Sequence, residues 1–217
     1  MTDNTIDLNS KILEKKISDF LAELSSKEPV PGGGGAAALI GSLAASLCAM
    51  VANLTTGKKK YACYQEDIDR ILDRIEKTIW QLYGYVGKDA EAFAPLAEAY
   101  SIPKEEPKRE EILQKALLAA ATVPLQLAEE LYALIPVLEE LEEKGSRLAI
   151  SDVAVAATAC RAALEGAVMN VYINTGLMKD EQQAAAMNER AQELTGDGAL
   201  RCQAVYERIE HSLCMKK

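Results

Sequence analysis

The sequence predicts an all-α protein, an antiparallel helical bundle with long, kinked helices. Three observations carry this reading. Apolar residues recur with a period near 3.6, as at Ile6, Leu8, Ile12, Leu13, Ile17, Phe20, Leu21 and Leu24. No alternating pattern of strand length competes with them. An uncharged, Ala-rich run from Ala36 to Thr55, with Gly41, Ser42 and Ser46, supplies the small residues that let helices pack closely. The 217 residues are 49% hydrophobic, enough for one domain with a sizeable core. No repeat or low-complexity linker divides the chain, so residues 1–217 read as a single domain.

The elements follow in order. A first amphipathic helix covers 6–25, and Lys27-Glu28-Pro29-Val30-Pro31 ends it. Then come Gly32, Gly33, Gly34 and Gly35. Each glycine forfeits more backbone entropy than any other residue, which is tolerated where the chain takes positive φ or approaches a ligand closely. These four lead into a helix whose first N–H groups lack intrahelical partners and lie at the positive end of its dipole, a ready anion site. A tight turn with close helix packing accounts for the glycines equally well. The second helix, 36–55, has the length of a membrane span. Its Ala-rich composition, and the expectation that no second such stretch exists, favour a helix buried on all sides of a bundle. Gly57 is placed to cap it, and Lys58-Lys59-Lys60-Tyr61 is a basic connector.

A third helix spans 65–100, with Gly84, Gly87 and Pro95 expected to kink or interrupt it. A charged, proline-flanked loop at 102–107 precedes a fourth helix over 108–144, with kinks expected at Pro124 and Pro136. Gly145-Ser146-Arg147 breaks it. Ser151 can cap a fifth helix, with Asp152 in its first turn, running to Leu177. A sixth begins near Asp180 and reaches the end, disturbed at Gly196 and Gly198.

Composition removes several function classes. Lys+Arg 24 against Asp+Glu 33 gives a net charge of −9, so the chain lacks the basic footprint of a general nucleic-acid binder. The single histidine, His211, reads as a solvated helix residue and excludes a Ser-His-Asp triad or a multi-histidine metal site. The five cysteines have no metal-ligand spacing. With no secretory pattern at the N-terminus, they are expected as reduced, mostly buried thiols of a cytoplasmic protein. Gly57-Lys58 is no phosphate loop, because position 52 is Ala52 where a glycine is required.

Three features can carry chemistry. Asp89, in Asp89-Ala90-Glu91-Ala92-Phe93, is a carboxylate among small and aromatic neighbours. Desolvation there raises its pKa into a useful range, whereas pairing with Lys88 would make it an ordinary surface acid. Asn170 and Asn174, four apart, share one helix face, as ligand donors or as a polar network between helices. Asn53 with Lys58, Lys59 and Lys60 forms either a clamp for a multiply anionic ligand or a solvated connector.

Together these residues resemble the formiminotetrahydrofolate cyclodeaminase / methenyltetrahydrofolate cyclohydrolase family. The resemblance runs through Pro29–Ala38, Met50–Thr55, Gly57–Tyr61, Asp89–Phe93, Val123-Pro124-Leu125, Ser151–Ala157, Gly166-Ala167 and Asn170–Asn174, across nearly the whole chain. Gly35 departs from it, since the family often has Ser there. The resemblance implies an all-helical, oligomeric enzyme acting on a tetrahydrofolate one-carbon derivative, mono- or polyglutamylated. It implies no metal and no cofactor beyond that substrate. Cyclodeamination of 5-formiminotetrahydrofolate to 5,10-methenyltetrahydrofolate and ammonia is the leading expectation. Hydrolysis of 5,10-methenyltetrahydrofolate to 10-formyltetrahydrofolate is the alternative, and a non-catalytic folate-binding or interaction module the further one. Asp89 is expected as general acid/base, with Asp152 in reserve. Gly32, Gly33, Gly34, Gly35, Asn53, Lys58, Lys59, Lys60, Tyr61, Asn170 and Asn174 are expected to bind substrate. A homodimer, a separate formiminotransferase partner, and no nucleic acid or membrane complete the expectations.

Overall fold

The computed structural model describes residues 15–215. The expected helix positions 6–14 lie outside them. Among the described residues six α-helices follow one another: α1 Ile17–Leu24, α2 Gly33–Asn53, α3 Gln65–Ser101, α4 Arg109–Lys144, α5 Ile150–Thr175 and α6 Glu181–Cys214. A two-turn 3₁₀ segment at Lys59–Tyr64 and a one-turn segment at Arg147–Ala149 lead into α3 and α5. There is no strand among the described residues. Short connections make successive long helices antiparallel neighbours.

The small residues of α2 set the architecture. A β-carbon at Gly41 would stand 2.5 Å from Leu131 Cδ2 and 3.7 Å from the Ala163 β-carbon. This lets α4 pass directly beneath α2 and α5. Ala44, Ala45, Cys48, Val51 and Ala52 are fully buried with Leu131, Ile135, Leu138, Cys160, Ala163 and Leu164. Helix α3 lies on the far side of α2, and α6 on the far side of α5. Ion pairs lace the outer edge of this arc, among them Arg70–Glu140, Lys144–Asp67, Arg201–Glu139 and Arg208–Glu142. Exposed pairs of this kind contribute about 0–1 kcal/mol each.

Several details depart from the expectations. Helix α2 begins at Gly33, so three of the glycines form its first turn rather than a collar ahead of it. It is not buried on all sides: Leu43, Ser46, Met50 and Asn53 are exposed. It ends at Asn53 with Leu54 as its cap, and Gly57 takes its positive φ of 71° in the turn beyond. Gly84, Gly87 and Pro95 do not interrupt α3, nor do Gly196 and Gly198 interrupt α6. Ser151 is not a cap, because the 3₁₀ turn runs straight into α5 and places the cap at Ala149. Asp180 does cap α6, accepting from the Gln183 N–H at 3.0 Å. Among the described residues two helices, α2 and α4, are long and apolar enough to cross a membrane by length and composition, rather than one. The apolar stretch of α4 is interrupted by Glu129 and Glu130, which hides it from a search for an uncharged run.

Pro124 removes an N–H from the middle of α4, leaving the carbonyl four residues earlier without its helical donor. That carbonyl belongs to Ala120, and the Asn174 side chain supplies the missing donor at 3.0 Å. The proline of one helix and the amide of another are thus one device. Asn174 also donates to Asn170 O at 2.8 Å, and Asn170 donates to Gly166 O at 2.8 Å.

Candidate active site

The first turn of α2, the middle of α3 and the last turns of α5 converge on Asp89. Its Oδ2 accepts the Gly35 N–H at 2.9 Å, so the helix N-terminus receives an anion, and the anion is the protein's own carboxylate. The approach depends on Gly34. A β-carbon there would overlap the Asp89 carboxylate, and only glycine leaves the room. At Gly35 the same addition meets nothing nearer than 3.6 Å, so a serine at that position would fit.

Asp89 is largely withdrawn from water. Burial pushes its carboxyl above the usual range, and the Gly35 N–H only partly opposes that. Lys88 does not neutralise it. The ammonium sits over the Tyr85 ring, 4.4 Å from the centroid, and no ion pair to Asp89 forms among the described residues. A carboxyl so placed is poised to exchange a proton with a bound group and to stabilise a cation once ionised.

A cavity of about 290 Å³ adjoins it. Gly32, Gly33, Asp89, Asn170 and Asn174 supply its polar lining, and Phe93, Leu96, Tyr100, Ile173 and Leu177 its apolar walls. Asn174 spends both N–H on carbonyls and offers its Oδ1 as acceptor, whereas Asn170 spends one on Gly166 O and keeps a second N–H beside its Oδ1. Phe93 was expected beside Asp89; the walls Tyr100, Ile173 and Leu177 were not expected at the site, because in the sequence their spacing reads as ordinary helix packing. A wider cavity of about 510 Å³ runs along α3 and α4. Its Arg70 is tied to Glu140 and Asp67, and its Arg74 to the Ala133 carbonyl. It holds no desolvated titratable group, so the smaller cavity is the better chemical site.

The remaining expected residues lie at the opposite end of α2 and α5, about 27 Å along the helices at 1.5 Å per residue. Asn53 is exposed and donates to Ala49 O. Lys58 reaches Ser146 Oγ at 3.5 Å, and the Tyr61 hydroxyl accepts the Arg147 N–H at 2.9 Å. Lys59 and Lys60 are exposed, with Lys60 near the Tyr61 ring. Asp152 stands in the first turn of α5. Within one chain the fold brings Asp89, the glycines and the two asparagines together. It gathers Asn53, the lysines, Tyr61 and Asp152 elsewhere.

This geometry can be set beside known proteins. The family model described as formiminotransferase-cyclodeaminase matches residues 16–193. A methenyltetrahydrofolate cyclohydrolase of Methylorubrum extorquens is 39% identical, covering 89% of this chain and 95% of that protein. The mouse formimidoyltransferase-cyclodeaminase is 34% identical over 78% of this chain. The match spans only 32% of the mouse protein. A crystal structure of formiminotetrahydrofolate cyclodeaminase from Thermotoga maritima superposes with a TM-score of 0.78 at 29% identity, over 91% of this chain and 95% of that one. With its fold, its match across most of the chain and its glycine-buttressed aspartate, the chain belongs to the formiminotransferase-cyclodeaminase family.

Proposed function

We propose that this chain is a folate one-carbon enzyme that closes 5-formiminotetrahydrofolate to 5,10-methenyltetrahydrofolate with release of ammonia. The observation that carries the reading is the Asp89 carboxyl, desolvated at the mouth of a cavity and held by the Gly35 N–H. The substrate brings its own nucleophile. N10 attacks the formimino carbon, forming the C–N10 bond. The formimino group reacts as its protonated amidinium, so when the proton lost by N10 is passed to the departing nitrogen that nitrogen becomes –NH₃⁺, the C–N bond breaks, and ammonia leaves a methenyl bridge that keeps the positive charge, shared between N5 and N10. Asp89 does two of these jobs: it relays the proton and its carboxylate stabilises the cation. Holding N5 and N10 in attack geometry contributes several kcal/mol more, on the order of what intramolecular reactions gain. Neither step calls for an activated Ser, Cys or His.

A second reading is favoured by one observation, the 39% identity to the Methylorubrum cyclohydrolase over nearly its whole length. There water adds to the methenyl carbon, one of its protons goes to N5 as the C–N5 bond breaks, the other is released through the carboxylate as the formyl C=O forms, and 10-formyltetrahydrofolate leaves. Both reactions share the methenyl cation and need the same carboxylate beside it. The ultraviolet absorbance of the methenyl group separates them. Its appearance from 5-formiminotetrahydrofolate supports cyclodeamination. Its loss faster than the spontaneous rate, with no appearance from the formimino compound, supports hydrolysis. Neither change, with folate bound, would make the chain a binder. We further propose that the enzyme works in the cytoplasm as a homodimer, and that a separate formiminotransferase supplies its substrate.

A further inference from the structure

We infer that Pro124 is a positioning residue for the folate site: it fixes the Asn174 amide so that Oδ1 alone is offered to the cavity, where it accepts an N–H from the amino group of the pterin. This rests on the folate reading for its ligand and on hydrogen-bond geometry for its arrangement. Pro124 is buried in the middle of α4 and brings no N–H. The carbonyl it leaves open belongs to Ala120, itself a residue of the cavity wall. That carbonyl accepts one Asn174 N–H at 3.0 Å, and Asn170 O accepts the other at 2.8 Å. A primary amide has two N–H groups and one oxygen, so Oδ1 is the only polar atom of the side chain left for a ligand. Turning the amide over would set that oxygen against two carbonyl oxygens with no hydrogen between them. The amide therefore has one orientation, and α4 imposes half of it.

Helix repair alone does not call for this device. Any other residue at 124 would satisfy Ala120 O from within α4, and proline is the least favourable residue at a mid-helix position. Pro136 is the comparison on the same helix. It stands about 18 Å further along α4 at 1.5 Å per residue and takes no part in lining the cavity.

The place of Asn174 along the cavity selects its partner on the ligand. Helix α5 runs antiparallel to α2, since Gly33 adjoins Asn170 while Thr55 accepts the Ser146 N–H. Helix α3 is also antiparallel to α2, so α3 and α5 run in the same direction. Asn170 and Asp89 flank successive residues at the start of α2. A β-carbon on Gly33 would stand 3.4 Å from Asn170 Nδ2, and one on Gly34 would overlap the Asp89 carboxylate. One turn further along, Phe93 of α3 and Asn174 of α5 line the same cavity, and beyond them Tyr100 and Leu177. The cavity is a slot with its reacting end at Asp89 and an acceptor about 6 Å along it. With N5 of the folate at Asp89, the fused pyrimidine ring extends past Phe93, and its amino group comes level with Asn174. An oxygen whose own N–H groups are committed accepts that amino group and repels a lone pair in its place.

Binding titrations test this with two ligands. One is 5-formyltetrahydrofolate, a stable isostere of the formimino substrate; the other is the same compound with methyl in place of the pterin amino group. Wild type is expected to bind the methyl analogue more weakly, on the order of tenfold, the worth of one neutral hydrogen bond. Asn174→Leu combined with Pro124→Ala gives Ala120 O its helical donor again, so the fold is spared, and this double variant is expected to bind both ligands equally. Pro124→Ala alone lets the amide turn and is expected to lose part of the discrimination, whereas Pro136→Ala keeps all of it. A folded double variant that still discriminates would make Asn174 a purely structural partner of Ala120 and overturn the proposal. So would full discrimination by Pro124→Ala, which decides the matter if the double variant unfolds, or a wild type that binds the two ligands alike. The reaction reading fails separately: if the wild type binds folate and converts neither the formimino nor the methenyl compound, the chemistry is lost and the affinities still judge Asn174. A wild type that binds neither ligand overturns both.

Discussion

Changing Gly34 to Ala is the most economical test of how the glycines work. In an open helical site this substitution stabilises by about 1 kcal/mol through helix propensity. Gly84 on α3 is such a site, since an added β-carbon meets nothing within 4 Å. At Gly34 the same methyl overlaps the Asp89 carboxylate. Losing the charge-assisted bond from Gly35 costs about 1.5–3 kcal/mol, and crowding adds about 1–3 kcal/mol. Net of propensity, Gly34→Ala is expected to destabilise by about 1.5–5 kcal/mol, toward the lower end if the carboxylate recovers hydration by swinging out. Swinging out removes it from the cavity, so turnover should fall by about 10²–10⁴, the usual contribution of general acid–base catalysis. Thermal unfolding and the methenyl absorbance assay on both alanine variants read the two effects. If Gly34→Ala matches Gly84→Ala in stability and keeps its activity, close approach of Asp89 is not why these glycines are there.

Other consequences follow from the same geometry. Burial raises the folded-state pKa of Asp89 above its unfolded value, so at neutral pH its ionised form opposes folding, and the opposition fades as pH falls through the folded pKa. Asp89→Asn should therefore unfold at a higher temperature than wild type at pH 7, with the margin shrinking as pH falls toward 3.8; a margin that grows on acidification would contradict the assignment. Asn174→Leu strands the Ala120 carbonyl and should cost about 1–3 kcal/mol. Adding Pro124→Ala restores the helical donor, so a double-mutant cycle by denaturant unfolding should show positive coupling, and strict additivity would break the link between them. Replacing Lys58, Lys59 and Lys60 with Ala should raise KM for polyglutamylated substrate more than for monoglutamate; equal effects would place the lysines away from the tail.

Much of the fold was legible because its signals are local. Helical periodicity and the loop at 102–107 placed α3 and α4 to within a residue or so, and Asp180 announced the start of α6. The failures share a cause, which is that packing overrules local preference. Glycine is a poor helix former, yet Gly33–Gly35 are helical because Asp89 must come within hydrogen-bonding distance of Gly35. Ser151 is a good cap by type, but the preceding 3₁₀ turn had already started the helix. At the site, the unusual carboxylate was visible as Asp89 among small residues, and its raised pKa follows from burial. The division of the other polar residues between two ends of one face was not visible, because residues 53–61 and 170–174 are related only by the antiparallel packing of α2 and α5. Asn170 and Asn174 read equally as ligand donors or as a polar network between helices, and the N–H groups of Asn174 serve the network, on Ala120 and Asn170.

The central claim is that the Asp89 carboxyl carries the chemistry on a bound folate. Rapid-mixing measurement of methenyl formation or loss under single-turnover conditions tests it directly, with folate affinity determined separately for wild type, Asp89→Asn and Asp152→Asn. The account predicts that Asp89→Asn folds, binds with near-normal affinity and loses about 10²–10⁴ of the chemical rate. Near-normal turnover by Asp89→Asn beside a folded, folate-binding and inactive Asp152→Asn would contradict it.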